Sequence, residues 1–248
     1  MQKYFLEVCV DSVESAIAAE KGGADRLELC GHLPLGGVTP GIELFRAVRR
    51  AVKLPLHVLV RPRFGDFLYS EAEFDILRRE VVLFRDLGAD AVVIGCLCPD
   101  GSLDRKRLAE LCDLAGGMKK TLHRAFDLCN DPFAALEQAK ELGFNTILTS
   151  GQKDSCEQGM ALIDALARRS GPVEILAGSG VGPEVVKRFM QETEVHSFHL
   201  SAKKRLNSGM VFRREGVHMG LQELSEYEIL RTDEETVRRV KKLLERAE

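Results

Sequence analysis

The chain has 248 residues, 45% hydrophobic and 29% charged, with a net charge of −3 at pH 7. That length can bury a sizeable core, as one α/β barrel or two small domains, and the charge balance gives no electrostatic case for nucleic acid or an anionic membrane as a partner. No apolar run approaches the roughly 20 residues of a membrane span, and with no Trp and three Tyr the chain is poor in base-stacking side chains.

Leu6-Glu7-Val8-Cys9-Val10-Asp11 alternates apolar and reactive residues, as a strand with one apolar face does. Asp11-Ser12-Val13-Glu14 then has the form of a helix start. Gly22-Gly23-Ala24-Asp25 ends that helix and leads into Leu27-Glu28-Leu29-Cys30, a second strand with the same Glu-x-Cys face. The helix–Gly–x–Asp/Asn–strand punctuation returns at Gly88–Asp90 and Gly143–Asn145. Further helix starts are read at Thr39-Pro40, Ser70–Glu73, Asp131-Pro132, Gly182-Pro183 and Thr232–Glu235.

Strands are expected at about 4–10, 26–30, 56–61, 91–96, 120–125, 145–149, 173–177 and 197–201, each pair separated by a helical pattern. Repeated βα units of this kind point to a single α/β domain over 1–248, a (β/α)8 TIM-type barrel. A Rossmann-like open sheet is the alternative, weakened by the lack of a G-x-G-x-x-G turn after a strand. The stretch at about 202–231 is long for a βα loop and reads as a lid, an oligomer contact or both, before a last helix at about 233–247. Seven cysteines with no CxxC pair, and an N-terminus without a charged-then-apolar leader pattern, lead to an expectation of reduced thiols in a cytoplasmic protein.

If the apolar parity of each strand faces the helices, the other parity collects Glu7 and Cys9, Glu28 and Cys30, and His57, Leu59, Arg61 and Arg63. It also collects Thr121 and His123, with Asp127 just beyond, and Ser197, His199 and Ser201. Buried charges must be paired, solvated or used on a ligand. Barrel active sites sit at the C-terminal strand ends, where Cys9, Asp11, Cys30, Arg61, Arg63, His123, Arg124, Asp127 and Ser201 fall. The structural alternative makes Glu7 and Glu28 internal struts paired with Arg61 and Arg63, His57 a core residue, and Cys96, Cys98, Cys112, Cys129 and Cys156 structural or exposed. Gly178-Ser179-Gly180-Val181 and Ser201 end the seventh and eighth strands, where barrels commonly hold phosphate on backbone N–H groups.

Taken in order, Leu6–Cys9, Ala24–Cys30, Gly36–Pro40, Val60–Arg63, Gly65–Phe67, His123–Asp127, Ile147–Gly151 and Gly178–Val181 resemble the CutC family of copper homeostasis proteins, over about residues 4–202. Phe64 and Ser179 stand where that family commonly has Gly, and His32 is less expected. The resemblance implies a cytoplasmic barrel, a homodimer or higher homo-oligomer, linked to copper, with Cys9 and Cys30 as the matching thiol pair for Cu(I).

Two arginines at the mouth suit an anionic substrate better than a copper ion. The chain therefore carries a second expectation, an enzyme of lyase, isomerase or hydrolase type acting on a small anionic or phosphorylated metabolite. In it Arg61, Arg63 and Arg124 hold the anion, and Glu7, Glu28, His123 and Asp127 supply proton transfer. Gly178, Gly180 and Ser201 hold a phosphate. Whether the chain is an enzyme stays open at this point.

Overall fold

The computed structural model describes residues 4–219, 221 and 224–246. Eight parallel strands close into a barrel in sequential order. They are β1 (Phe5–Val10), β2 (Arg26–Leu29), β3 (Leu56–Leu59), β4 (Ala91–Ile94), β5 (Lys119–Leu122), β6 (Thr146–Thr149), β7 (Glu174–Ala177) and β8 (Ser197–Leu200). Helices α1 (Val13–Gly22), α2 (Ile42–Ala51), α3 (Glu71–Asp86), α4 (Arg105–Ala115), α5 (Pro132–Glu141), α6 (Met160–Ala167) and α7 (Pro183–Glu192) follow the first seven strands. Pairing of β1 with β8, Glu7 opposite His199, closes the ring and excludes the open Rossmann-like sheet.

Strand parity sorts the two faces. Leu6, Val8 and Val10 are fully buried in the main hydrophobic core beneath the helices, whereas Cys9, Cys30, Leu59 and Val93 form a separate cluster inside the barrel. In a parallel ladder, register partners present side chains on the same face. Glu7 beside Arg26 and His199, and Glu28 beside Cys9 and His57, therefore all point into the lumen.

Local chemistry sets the helix ends. Ser12 caps α1 by accepting the Ser15 N–H, and Ser70 with Glu73 makes a reciprocal capping box on α3. Thr39 behaves differently from the expectation. Gly41 is the cap residue of α2, while the Thr39 hydroxyl accepts the Arg61 N–H at 2.9 Å and donates to Glu80 at 2.6 Å. It ties the loop after β2 to the end of β3.

The expected strands three to five are shorter than read, ending at Leu59, Ile94 and Leu122. His123 instead caps a short 3-10 helix, Arg124–Leu128, so Arg61 and His123 sit past the ladder on the mouth. The expected loop at about 202–231 contains an antiparallel hairpin, β9 (Lys203–Asn207) with β10 (Glu228–Thr232). α8 (Glu234–Glu245) follows it and buries Val237, Val240 and Leu244. The expected last helical residue, Ala247, lies outside the described residues.

Phe84 of α3 meets Phe45 of α2 edge-on, with ring centroids 5.5 Å apart, and both are almost fully buried. Phe84→Ala should cost about 3–5 kcal/mol, because transfer and cavity terms add in a core that cannot collapse around the void. Urea denaturation of parent and variant, compared at constant m, measures it.

Candidate functional site

The lumen is built in layers. In the lower one the Glu7 carboxylate, fully buried, accepts from Arg26 Nε and lies 2.6 Å from His199 Nδ1. Arg26 also donates to Glu174 at 3.0 Å, and His57 Nδ1 stands 3.7 Å from Glu7. Burial alone would raise the Glu7 carboxyl, but the Arg26 charge, the His199 hydrogen bond and the His57 field outweigh it and hold Glu7 well below the ordinary carboxylate range. An ionised carboxylate only accepts, so His199 Nδ1 carries the proton shared with Glu7 and Nε2 is left for the cavity. Burial lowers His199, yet the charges of Glu28 and Glu7 and the Glu7 hydrogen bond leave its pKa raised.

One layer up, Cys9 Sγ donates to Glu28 Oε1 at 3.4 Å and lies 3.7 Å from Cys30 Sγ. The Cys9 thiol is pushed up by its hydrogen bond to Cys30 and by burial, and the Glu28 carboxyl is raised chiefly by burial. Cys9, Glu28 and His199 each offer a ligand atom within 4.8 Å of the others. A metal–sulfur bond of about 2.3 Å in tetrahedral geometry puts two thiolates about 3.8 Å apart, so the sulfur spacing and the soft donors suit a thiophilic ion. Gly37 makes room for the pair. It sits at φ +81°, and a Cβ there would lie 2.8 Å from Leu59 and 3.2 Å from the Cys30 Cβ.

Above these layers opens a cavity of about 680 Å³ at the C-terminal ends of the strands. Of the expected ligand, metal and proton-transfer residues, Cys9, Glu28, Arg61, His123, Arg124, Gly180 and Ser201 line it, and His199 joins them. Cys30 lies behind Cys9 and Glu7 beneath it, both fully buried. Gly178 backs onto Leu148 and His199.

Two expected site residues face elsewhere. Arg63 turns outward to Glu73 at 2.6 Å, Asp66 at 2.9 Å and the Leu68 carbonyl, because the chain leaves the ladder after Leu59 and strand parity no longer governs it. Asp127 accepts from Thr149 Oγ1, the Ser150 and Gln152 N–H groups and Arg124 Nε, which uses its carboxylate to hold the loop after β6. The expected struts from Glu7 and Glu28 to Arg61 and Arg63 are also replaced. Arg26, the register neighbour of Glu7, takes that part, and Arg61 is held by the Gly36, Gly37 and Gly65 carbonyls. Arg26 and Glu174 were not among the expected site residues, although both share the lumen parity of their strands. His199 was placed in the lumen but given no task.

A family model described as the CutC family matches residues 4–204. This chain belongs to the CutC family. A CutC family protein of Bacteroides thetaiotaomicron is 46% identical over 231 residues, 92% of this chain and 93% of its own length. A human protein named copper homeostasis protein cutC homolog is 41% identical over 237 residues, 95% of this chain and 87% of its own. The crystal structure of a CutC copper homeostasis protein from Streptococcus agalactiae superposes with a TM-score of 0.76 at 27% identity, covering 80% of this chain and 98% of that one. The family match ends at the start of the β9–β10 arm. No helix among the described residues is long and apolar enough to cross a membrane.

Burial depresses the His57 pKa to about 4, against the pull of Glu7. Between the unfolded value near 6.5 and the folded value, the unfolded chain binds the extra proton, so this contribution to stability is present above pH 6.5 and is lost as pH falls. Urea titrations at pH 7 and pH 5 should show a loss of about 1–2 kcal/mol from this group, and His57→Asn should flatten that part of the pH dependence.

Proposed function

We propose that this CutC-family chain binds Cu(I) in the barrel lumen through Cys9 and Cys30, with His199 as a third donor, and serves copper homeostasis in the cytoplasm. The observation that carries this reading is the thiol pair, with sulfurs 3.7 Å apart and the Glu7-anchored His199 beside Cys9. Ligating histidines characteristically give their second ring nitrogen to a carboxylate, the part Glu7 plays here. Metal uptake needs thiolates. The Cys9 S–H already points at Glu28, a built-in acceptor for the proton that leaves. All seven cysteines are free thiols, in keeping with a reducing compartment. Assembly as a homodimer or higher homo-oligomer is part of the same proposal, supported by the apolar tip of the arm, where Val211 and Phe212 are exposed.

In a competition titration against a chromophoric Cu(I) chelator, Cys9→Ser/Cys30→Ser should lose stoichiometric uptake. Glu7→Gln should weaken uptake by about 10–100-fold through misorientation of His199. Affinity in the parent should tighten as pH rises, since protons leave on binding. Unchanged affinity in the double variant would falsify the thiol site.

A second reading is favoured by the charge of the rim. Arg61, Arg124, Lys203 and Lys204 line the mouth beside Gly180 and Ser201; Arg124 is paired with Asp127 and Lys204 with Asp233, which leaves Arg61 and Lys203 without a carboxylate among the described residues. Such a rim fits an enzyme, lyase, isomerase or hydrolase-like, that acts on a small anionic or phosphorylated metabolite, with Glu28 at the floor as the proton-transfer group. Glycerol 3-phosphate should then raise the Tm of the parent, and Lys203→Glu should remove most of that rise. A shift of the same size in both proteins counts against a phosphate-binding rim.

A further inference from the structure

Two donors at the mouth have no partner among the described residues. His123 Nε2 and Arg61 Nε are both buried and unbonded, on residues 4% and 9% exposed. A buried donor left unmade is costly, and two of them on side chains that line one cavity call for a ligand.

The geometry of each is fixed in advance. The Ala125 N–H donates to His123 Nδ1 at 3.1 Å, which occupies that lone pair and puts the proton of a neutral imidazole on Nε2. Burial and the Arg61 charge press the His123 pKa down to about 3, so the ring is neutral and donates without being an acid. Its position is written into β4's end. A Cβ on Gly95 would stand 2.4 Å from His123 Cε1, so a larger residue there would expel the ring.

Arg61 is held by three backbone carbonyls, at 3.4 Å from Gly36, 3.1 Å from Gly37 and 2.7 Å from Gly65, lies beside the buried Tyr69 hydroxyl, and meets no carboxylate among the described residues. A buried guanidinium without a counter-ion favours an anionic guest. Phe67 joins the two donors. Its ring centroid is 4.7 Å from that of His123, and the Arg61 guanidinium carbon lies 4.8 Å from it. The ring also lines the cavity and must give way slightly for an oxygen to reach the pair.

We propose that Arg61 and His123 form a subsite for one carboxylate oxygen of a small organic acid, received by the Nε–H of Arg61 and the Nε2–H of His123. The inference rests on the second reading above and names its substrate class. One cation and one neutral N–H match a singly charged, planar group. A phosphate dianion, with more charge and three acceptor oxygens, fits the lysine-bearing rim instead. The subsite shares no side chain with the thiol pair; Arg61 reaches that pair only through the Gly37 carbonyl, and His123 has no such link among the described residues.

Calorimetric titration of the full chain with pyruvate, malate and 2-oxoglutarate, beside inorganic phosphate, tests this. At least one acid should bind saturably. His123→Asn, which keeps an acceptor for the Ala125 N–H but whose shorter amide leaves no donor at the Nε2 position, should weaken that acid by about tenfold, as should Arg61→Lys. Cu(I) uptake should be unchanged in His123→Asn, which leaves the Arg61–Gly37 contact in place. In the parent, the His123 Nε2 resonance in a nitrogen-15 spectrum should move with the same titration, a readout that survives any misfolding of the variants. If phosphate binds and no acid does, the subsite is overturned while the anionic-metabolite reading stands. If neither class binds, both fall. An acid that binds with equal affinity in parent and variants, with the His123 resonance unmoved, also overturns the subsite.

Discussion

The structure depends on one ionised carboxylate at the bottom of the barrel. Glu7 is surrounded by Arg26, His199 and His57, and is kept charged although it is fully buried. A carboxylate taken out of water costs several kcal/mol unless its partners are well placed. The partners come from strands on both sides of β1, so the network is complete only when the ring has closed. Glu174 extends it to β7 by accepting from Arg26 and from Ser197 and Thr146. The same carboxylate orients His199 through its Nδ1, beside Cys9 and Glu28.

Above that anchor the site is graded in softness. The floor offers sulfur and imidazole, donors suited to a soft monovalent metal. The rim offers guanidinium, ammonium and backbone groups, suited to oxygen anions. A barrel can carry both because each layer of lumen side chains comes from a different position along the same strands, a few ångströms higher per step. Arg61 and His123 belong to the mouth but are held by backbone carbonyls and a backbone N–H rather than by ion pairs.

Much of the site was legible in strand parity. Glu7, Cys9, Glu28, Cys30 and His199 alternate with core residues within regular strands, and period two places them without further information. Legibility failed where the chain left the ladder. Arg63 and Asp127 fit the pattern of lumen residues by count alone, but β3 ends at Leu59 and the Asp127 region winds into a 3-10 helix, so both side chains meet local partners instead. His32 and Ser179, noted as unusual beside the family's pattern, occupy left-handed backbone at φ 50° and 73°, where glycine carries no Cβ penalty. Phe64 has no such backbone, and its ring is exposed.

The sequence by itself determined the (β/α)8 architecture, the order of the strands and which face of each strand is reactive. These follow from local periodicity, helix caps and glycine punctuation, all encoded within a few residues of each other. The tertiary structure alone decided which charges pair. Glu7 and Arg26 are 19 residues apart, and Glu7 and His199 are 192 apart. Their meeting is set by barrel closure and strand register, which no local pattern specifies. It also decided that Arg61 and His123 keep unpaired donors, because a vacancy in a hydrogen-bond network exists only once every other partner has been placed.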